Sequence, residues 1–292
     1  EIIYNHKKIV FTGDLGNSPS PLLRDTEKIT DADYLFMESC YGDRNHEDRE
    51  DRKNRLREII NQNYERKGTL MIPVFSLERT QELLYEIDTL VESKLIPQMP
   101  IFLDSPLAIK LTAIYQKYEK YFNPTALKII KGGDDIFNFI GLKMTNETEE
   151  SKAILYVPGP KIVMAGSGMS NGGRILHHER NYLPFAINTI LLIGYQSVGT
   201  LGRSIQNGVK KLHIMGEDVN IRAHIEMISG YSGHKDSDHL VEFVEDTAKT
   251  VKKVFLLMGE PKSSMFLAQK LTDNLGVDTY APTNGETVLI EC

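Results

Sequence analysis

Between residues 68 and 195 the chain alternates short apolar runs with helix-spaced segments, and this rhythm restricts the fold more than any other feature. The runs at 69–75, 100–103, 161–165 and 188–195 lack the every-second-residue polarity of a strand with one wet side. A strand that is apolar on both sides is one buried on both sides. The stretches between them, 77–91, 107–121 and 173–180, place apolar residues at helical spacing. Strand, helix, strand in that order predicts an α/β fold built on a mainly parallel sheet covered on both faces. Residues 134–160, following Gly132 and Gly133 and acidic at their centre, show neither period and are expected to include an exposed loop.

The flanking regions read more simply. Residues 8–12 and 33–38 form strands, and 46–67 is a charged helical segment with Leu56, Ile59 and Ile60 on one side. Its mixture of signs predicts a solvated face. In the last third, 212–215 and 219–228 are short strands broken at Gly216, Glu217 and Asp218 as a hairpin would be. A helix at 239–248, a strand at 254–257, a helix at 263–275 capped around 262–264 after Pro261, and a final strand at 287–291 complete the chain.

Chemistry gathers where strands stop. The strand at 8–12 runs into Gly13, Asp14, Leu15 and Gly16, the next ends on Glu38, and Ser232, Gly233, His234, Lys235 and Asp236 form a polar loop before a helix. Such ends open onto one edge of a sheet, where α/β proteins keep their ligands. Asp14 alone reads as a turn aspartate, but an acid at Glu38 is placed either to ligate a metal or to orient a histidine. His234, in a loop, is the candidate for function, whereas His213 and His224 lie within strands and read as packed residues. A second set suits phosphate: Ser76 with Arg79, Ser105, Ser167 and Gly168 with Gly172, Gly173 and Arg174, and Arg203. Helix-start amides and arginine forks bind phosphate oxygens, although Gly and Ser also serve such turns for geometry alone. His177 and His178 read as structural or rim residues.

A formal charge of −6 gives no general attraction to nucleic acid, so a polyanion would need a local basic groove or a bound metal. Cys40 and Cys292 have no metal or redox spacing and are expected to be free thiols in a reducing cytoplasm. Residues 1–6 lack the basic-then-apolar layout expected of a signal peptide, and no apolar run reaches membrane-spanning length. The start at Glu1 reads as an internal point of a longer gene product.

Several segments together resemble the β-CASP branch of the metallo-β-lactamase superfamily: Phe11-Thr12-Gly13-Asp14-Leu15-Gly16; Glu38-Ser39-Cys40-Tyr41-Gly42-Asp43-Arg44; Gly166-Ser167-Gly168-Met169 with Gly172-Gly173-Arg174; Gly194-Tyr195-Gln196 with Gly199 to Arg203; Ser232-Gly233-His234; and Met258-Gly259-Glu260-Pro261. They cover nearly the whole chain in order and are most similar to the prokaryotic RNA-processing nucleases related to the pre-mRNA 3'-end cleavage subunit. The resemblance implies the C-terminal part of a metallo-β-lactamase αββα fold, at 1–43 and 227–292, with an inserted parallel-sheet β-CASP domain at 44–226. It implies hydrolysis of single-stranded RNA with two zinc ions in a cleft between those domains; a homo-oligomer is compatible with it. Asp14 matches the metal-bridging aspartate, Glu38 the acid that positions a histidine, and His234 that histidine, which assists protonation of the leaving group.

Two departures stand beside these matches. Nothing before Asp14 supplies the family's His-x-His-x-Asp-His run, and Met258 stands where a zinc histidine is expected. A thioether is a poor zinc ligand. Poor or no zinc binding, and no RNA turnover, are therefore expected of this chain by itself. A zinc-dependent ribonuclease, a non-catalytic RNA-binding subunit with a degenerate metal site, and a hydrolase of small esters remain open at this point.

Overall fold

The computed structural model describes residues 1–133 and 135–291. In chain order the strands are β1 (Ile2–Tyr4), β2 (Lys7–Phe11), β3 (Tyr34–Glu38), β4 (Thr69–Pro73), β5 (Ile101–Asp104), β6 (Leu142–Met144), β7 (Lys161–Ala165), β8 (Thr189–Leu192), β9 (Lys211–Ile214), β10 (Glu217–Asn220), β11 (His224–Met227), β12 (Lys253–Leu257) and β13 (Thr279–Tyr280). The helices are α1 (Arg49–Glu65), α2 (Arg79–Glu92), α3 (Pro106–Lys117), α4 (Pro124–Lys131), α5 (Thr148–Ala153), α6 (Ile175–Tyr182), α7 (Leu201–Gln206), α8 (Ser237–Glu245) and α9 (Pro261–Leu275). The chain divides into two units: residues 1–20, 25–46 and 233–292, and residues 21–24 with 47–232.

The first unit is built on a sheet ordered β1-β2-β3-β12-β13. β2, β3, β12 and β13 run parallel, and only β1 is antiparallel to its neighbour. On one face Val10, Leu35, Met37, Val254 and Leu256 pack with Leu240 and Val244 of α8 and Leu267 and Leu271 of α9. On the other, Phe11, Phe36 and Phe255 stack in register at centroid spacings of 4.6 and 4.3 Å. Asp236 starts α8 by accepting the His239 N–H, and Gly276, at φ +67, ends α9 in the left-handed region that suits glycine.

The second unit carries an all-parallel sheet ordered β11-β8-β4-β7-β5-β6. Leu70, Ile72, Ile162 and Met164 share one core with Leu56, Ile59 and Ile60 of α1 and Leu83, Leu84 and Ile87 of α2. Met71, Ala165, Ile190 and Leu192 share another with Ile175 of α6, with Leu183 just after that helix, and with Ile205 of α7. Alternate strand residues thus feed opposite faces, which is why these strands are apolar throughout. Caps set the connections: Ser105 accepts from the Ala108 N–H with Pro106 in the first turn of α3, and Asn123 with Pro124 repeats the device at α4.

Several sequence expectations need correction. The segment 46–67 is not simply a solvated face: Arg52 is buried, paired with Glu86 at 2.9 Å and donating to the Gly230 carbonyl at 2.6 Å. The 134–160 stretch contains β6 and α5, and α4 before it went unrecognised; Asp134 lies outside the described residues. Residues 219–228 belong to two sheets, because the chain leaves the β9–β10 hairpin where the Arg222 and Ala223 N–H groups bond the Leu183 carbonyl. α3 stops at Lys117, with a 3-10 turn at Glu119–Tyr121. α9 opens at Pro261, earlier than the expected cap at 262–264. Residues 287–291 form no strand; Leu289 is 95% exposed and only Ile290 packs, beside Phe255. His213 and His224 are exposed on their strands. Cys40 is a free, buried thiol, while Cys292 lies outside the described residues. Among the described residues no helix is long and apolar enough to cross a membrane.

Ile162 is fully buried at the centre of the second unit's sheet, whereas Ile187 is 55% exposed. Ile162→Ala is expected to destabilise that unit by about 2–5 kcal/mol in urea denaturation, and Ile187→Ala by less than about 0.5 kcal/mol. Equal losses would contradict the two-faced core.

Candidate active site

Three neighbouring strands of the first unit, β2, β3 and β12, end at the same edge of their sheet. Thr12 extends the β2–β3 pairing by donating its N–H to the Phe36 carbonyl at 2.9 Å. The chain then turns through Gly13 and Gly16, both at positive φ, and leaves Asp14 62% exposed between them. β3 ends on Glu38, opposite Leu257 of β12, which is followed by Met258 and Gly259. Gly259 is needed for contact: a Cβ there would lie 2.5 Å from Ser39 Oγ and 2.6 Å from the Ser39 carbonyl oxygen.

Glu38 is fully buried, and both of its carboxylate oxygens are used. Oε1 accepts the Leu15 N–H at 2.6 Å, and Oε2 lies 2.6 Å from His234 Nδ1. The first bond fixes the turn that carries Asp14; the second fixes the imidazole. Asp14 Oδ1 is 3.8 Å from the same His234 nitrogen. The His234 loop is braced by Asp236, which accepts the His46 and His239 N–H groups, and by His46 Nε2, 3.0 Å from the His234 carbonyl oxygen. The structure therefore brings Asp14, Glu38 and His234 together.

Burial by itself would lower the His234 pKa, but the hydrogen bonds to Cys40 and Glu38, with the Glu38 charge, outweigh it and push the value up to about 10. The ring is an imidazolium at neutral pH, held as a proton donor. Because the folded value is raised, the stability it contributes is fully present below the ordinary histidine value of about 6.5 and is lost as pH climbs through about 10.

Cys40, expected from the sequence to be a free thiol without metal spacing, belongs to this cluster. Its Sγ donates to the Met258 carbonyl oxygen at 3.4 Å. One ligand atom each from Glu38, Cys40 and His234 lie within 4.8 Å of one another. Carboxylate, thiolate and imidazole are the donor types zinc takes, so these residues fit such an ion by chemistry. Met258 has its backbone at φ +63 and is 54% exposed.

In the second unit the phosphate candidates separate into two groups. Ser76, Ser105 and the turn at Ser167 and Gly168 follow β4, β5 and β7, and a Cβ on Gly166 would lie 3.6 Å from Ser105 Oγ and 4.0 Å from Ser76 Oγ, so these loops converge. The arginines do not present open forks. Arg79 is buried, bound to Glu78 and Glu82 and donating to the Tyr231 carbonyl at 2.9 Å; the phosphate expectation for it is corrected, since its charge is spent on holding that carbonyl segment. Arg174 bonds Asp104 at 2.8 Å and the Thr145 and Asn146 carbonyls. Arg203 donates to the Gln196 carbonyl at 2.8 Å. Asp104, also missed in the sequence, is fully buried; burial raises its pKa, but hydrogen bonds from His178, Ser151 and Thr145 outweigh this and bring it to about 2. His178 is thus a structural partner, 2.7 Å from Asp104.

Comparison with known proteins matches the Beta-Casp domain to residues 80–205 and the Zn-dependent metallo-hydrolase RNA specificity domain to residues 218–282. The chain is 35% identical over 265 residues to ribonuclease TTHA0252 of Thermus thermophilus, covering 91% of this chain and 60% of that protein. It is 31% identical over 283 residues to an RNase J-like protein of Methanocaldococcus jannaschii, covering 96% and 64%. It is 29% identical over 289 residues to the transcription termination factor FttA of Methanosarcina mazei, covering 96% and 45%. The chain spans less than two thirds of the length of each of these relatives.

In the metal-free chain, NMR titration of the imidazole signals is expected to show His234 protonated well above the ordinary midpoint. Glu38→Gln is expected to bring that midpoint down toward about 6.5. A wild-type midpoint already at the ordinary value would contradict the pairing.

Proposed function

Because the chain belongs to the β-CASP RNA-processing branch of the metallo-β-lactamase superfamily, we propose that it serves zinc-dependent hydrolysis of RNA phosphodiesters, with Asp14 as a metal ligand and the Glu38–His234 pair handling the proton. The observation that carries this reading is the buried Glu38 carboxylate, which holds the Asp14 turn with one oxygen and His234 with the other.

A divalent zinc, when bound, supplies a Lewis acid that polarises the phosphoryl oxygen and lowers the pKa of a water. The chain's own groups supply the rest. Asp14 presents an exposed carboxylate whose charge favours a cation. His234, charged at neutral pH, releases a proton to the departing ribose oxygen, and Glu38 stabilises the imidazolium and fixes its orientation until it does. Residues 1–43 and 227–292 form the lactamase-like part in this reading and 44–226 the insert. The division of the chain near 46 and 232 supports that arrangement. Ser76, Ser105, Ser167 and Gly168, gathered at the strand ends of the insert, bind backbone phosphates of single-stranded RNA. The work takes place in the cytoplasm, where the buried Cys40 thiol stays reduced.

Met258 favours a second reading. An exposed, neutral thioether at a position expected to hold a zinc imidazole suits a subunit that binds RNA without cutting it.

The 292-residue chain is expected to bind a labelled single-stranded RNA and to leave it intact in zinc or manganese, because a catalytic zinc needs about three protein ligands with an open position. Hydrolysis by this chain would contradict the ligand count, and absence of binding would contradict the RNA reading. In the protein as encoded, hydrolysis that falls by about 10²–10⁴-fold in His234→Ala supports the enzyme. RNA binding without bound metal or hydrolysis supports the subunit.

A further inference from the structure

The geometry points to a cation site at Cys40, His234 and Glu38, with Asp14 beside the imidazole, that takes a thiophilic divalent ion of the zinc type in place of the proton shared by Glu38 and His234. The proposal stands on the side-chain geometry of the first unit and does not rest on the RNA reading.

The three donor atoms lie within 4.8 Å of one another, and Asp14 Oδ1 is 3.8 Å from His234 Nδ1. Zinc bonds of about 2.0–2.3 Å at tetrahedral angles put neighbouring donors about 3.3–3.6 Å apart. His234 and Glu38, now at 2.6 Å, must part by under about 1 Å, and Cys40, within 4.8 Å of both, must close by at most about 1.5 Å. Glu38 is pinned from behind by the Leu15 N–H, so the imidazole, carried on the loop that leads into α8, is the member that moves. Cys40 gives up its bond to the Met258 carbonyl and turns its sulfur inward.

Coordination needs a thiolate and a free Nδ1 lone pair, so the Cys40 thiol proton and the His234 Nδ1 proton pass to water; no electrons are transferred. An ion held here occupies the imidazole that would donate the proton, which makes this a holding site and not a catalytic one. Occupancy by the ion and the Glu38–His234 hydrogen bond exclude each other. An ion bound here therefore silences the proton donor while it clamps the Asp14 turn to the His234 loop.

Cobalt(II) titration of the 292-residue chain, followed by absorption, tests the site. The expected result is a thiolate-to-cobalt charge-transfer band in the near ultraviolet with tetrahedral absorption in the visible, saturating at about one equivalent and displaced by zinc. The chain has two cysteines, Cys40 and Cys292, so Cys292→Ser is expected to keep the band. Cys40→Ser and Cys40→Ala are expected to lose it and to bind cobalt at least about tenfold more weakly. Where a Cys40 variant loosens the fold, the Cys292→Ser spectrum decides by itself. Cobalt bound without the charge-transfer band, a band that disappears in Cys292→Ser or survives in Cys40→Ser, or no cobalt binding would each overturn the proposal.

Discussion

The first unit depends on one buried carboxylate holding two loops from distant parts of the sequence. Glu38 is fully buried, and burial of an unpaired carboxylate carries a cost of several kcal/mol. Two hydrogen bonds offset that cost, one from the Leu15 N–H and one from His234. Charge-assisted bonds of this kind contribute about 1.5–3 kcal/mol each. The same bonds place an exposed aspartate beside a charged imidazole, so the interaction that stabilises the edge of the sheet also arranges its chemistry.

The second unit handles buried charge in the same way. Asp104, at the end of β5, satisfies its oxygens with Thr145 and Arg174 on one side and Ser151 and His178 on the other. Arg52 and Glu86 pair inside the core, with the Tyr231 hydroxyl donating to the free Glu86 oxygen at 2.6 Å. Breaking such a pair on one side leaves an uncompensated charge, which is far more costly than never burying it. These groups hold the loops at the strand ends in place, where Ser76, Ser105 and the glycine-rich turn converge.

How much of this was legible in the sequence follows from the range of each interaction. The parallel sheet could be read because its strands are apolar on both sides, a local property of Thr69–Pro73 and Lys161–Ala165. Asp14, Glu38 and His234 could be read because each sits where an apolar or polar run breaks. Cys40 could not: a single cysteine has no spacing, and its approach to His234 depends on the bridge between Tyr41 and Asp236, nearly two hundred residues apart. Arg52 was misread for the same reason, since its partner Glu86 lies 34 residues away and the local charge run looks solvated. The tail at 287–291 failed in the opposite sense: Val288, Leu289 and Ile290 form a strand-like apolar run, but the tail only packs Ile290 and bonds Glu291 to the Tyr34 hydroxyl, among the described residues, without joining the sheet.

The coupling between Glu38 and His234 is the quantity on which the account turns, and a double-mutant cycle measures it most directly. Urea denaturation of the wild type, Glu38→Gln, His234→Gln and the double variant at neutral pH is predicted to give a coupling energy of about 1.5–3 kcal/mol. Losses that simply add, within about 0.5 kcal/mol, would show that the carboxylate does not hold the imidazole and would contradict the site as described.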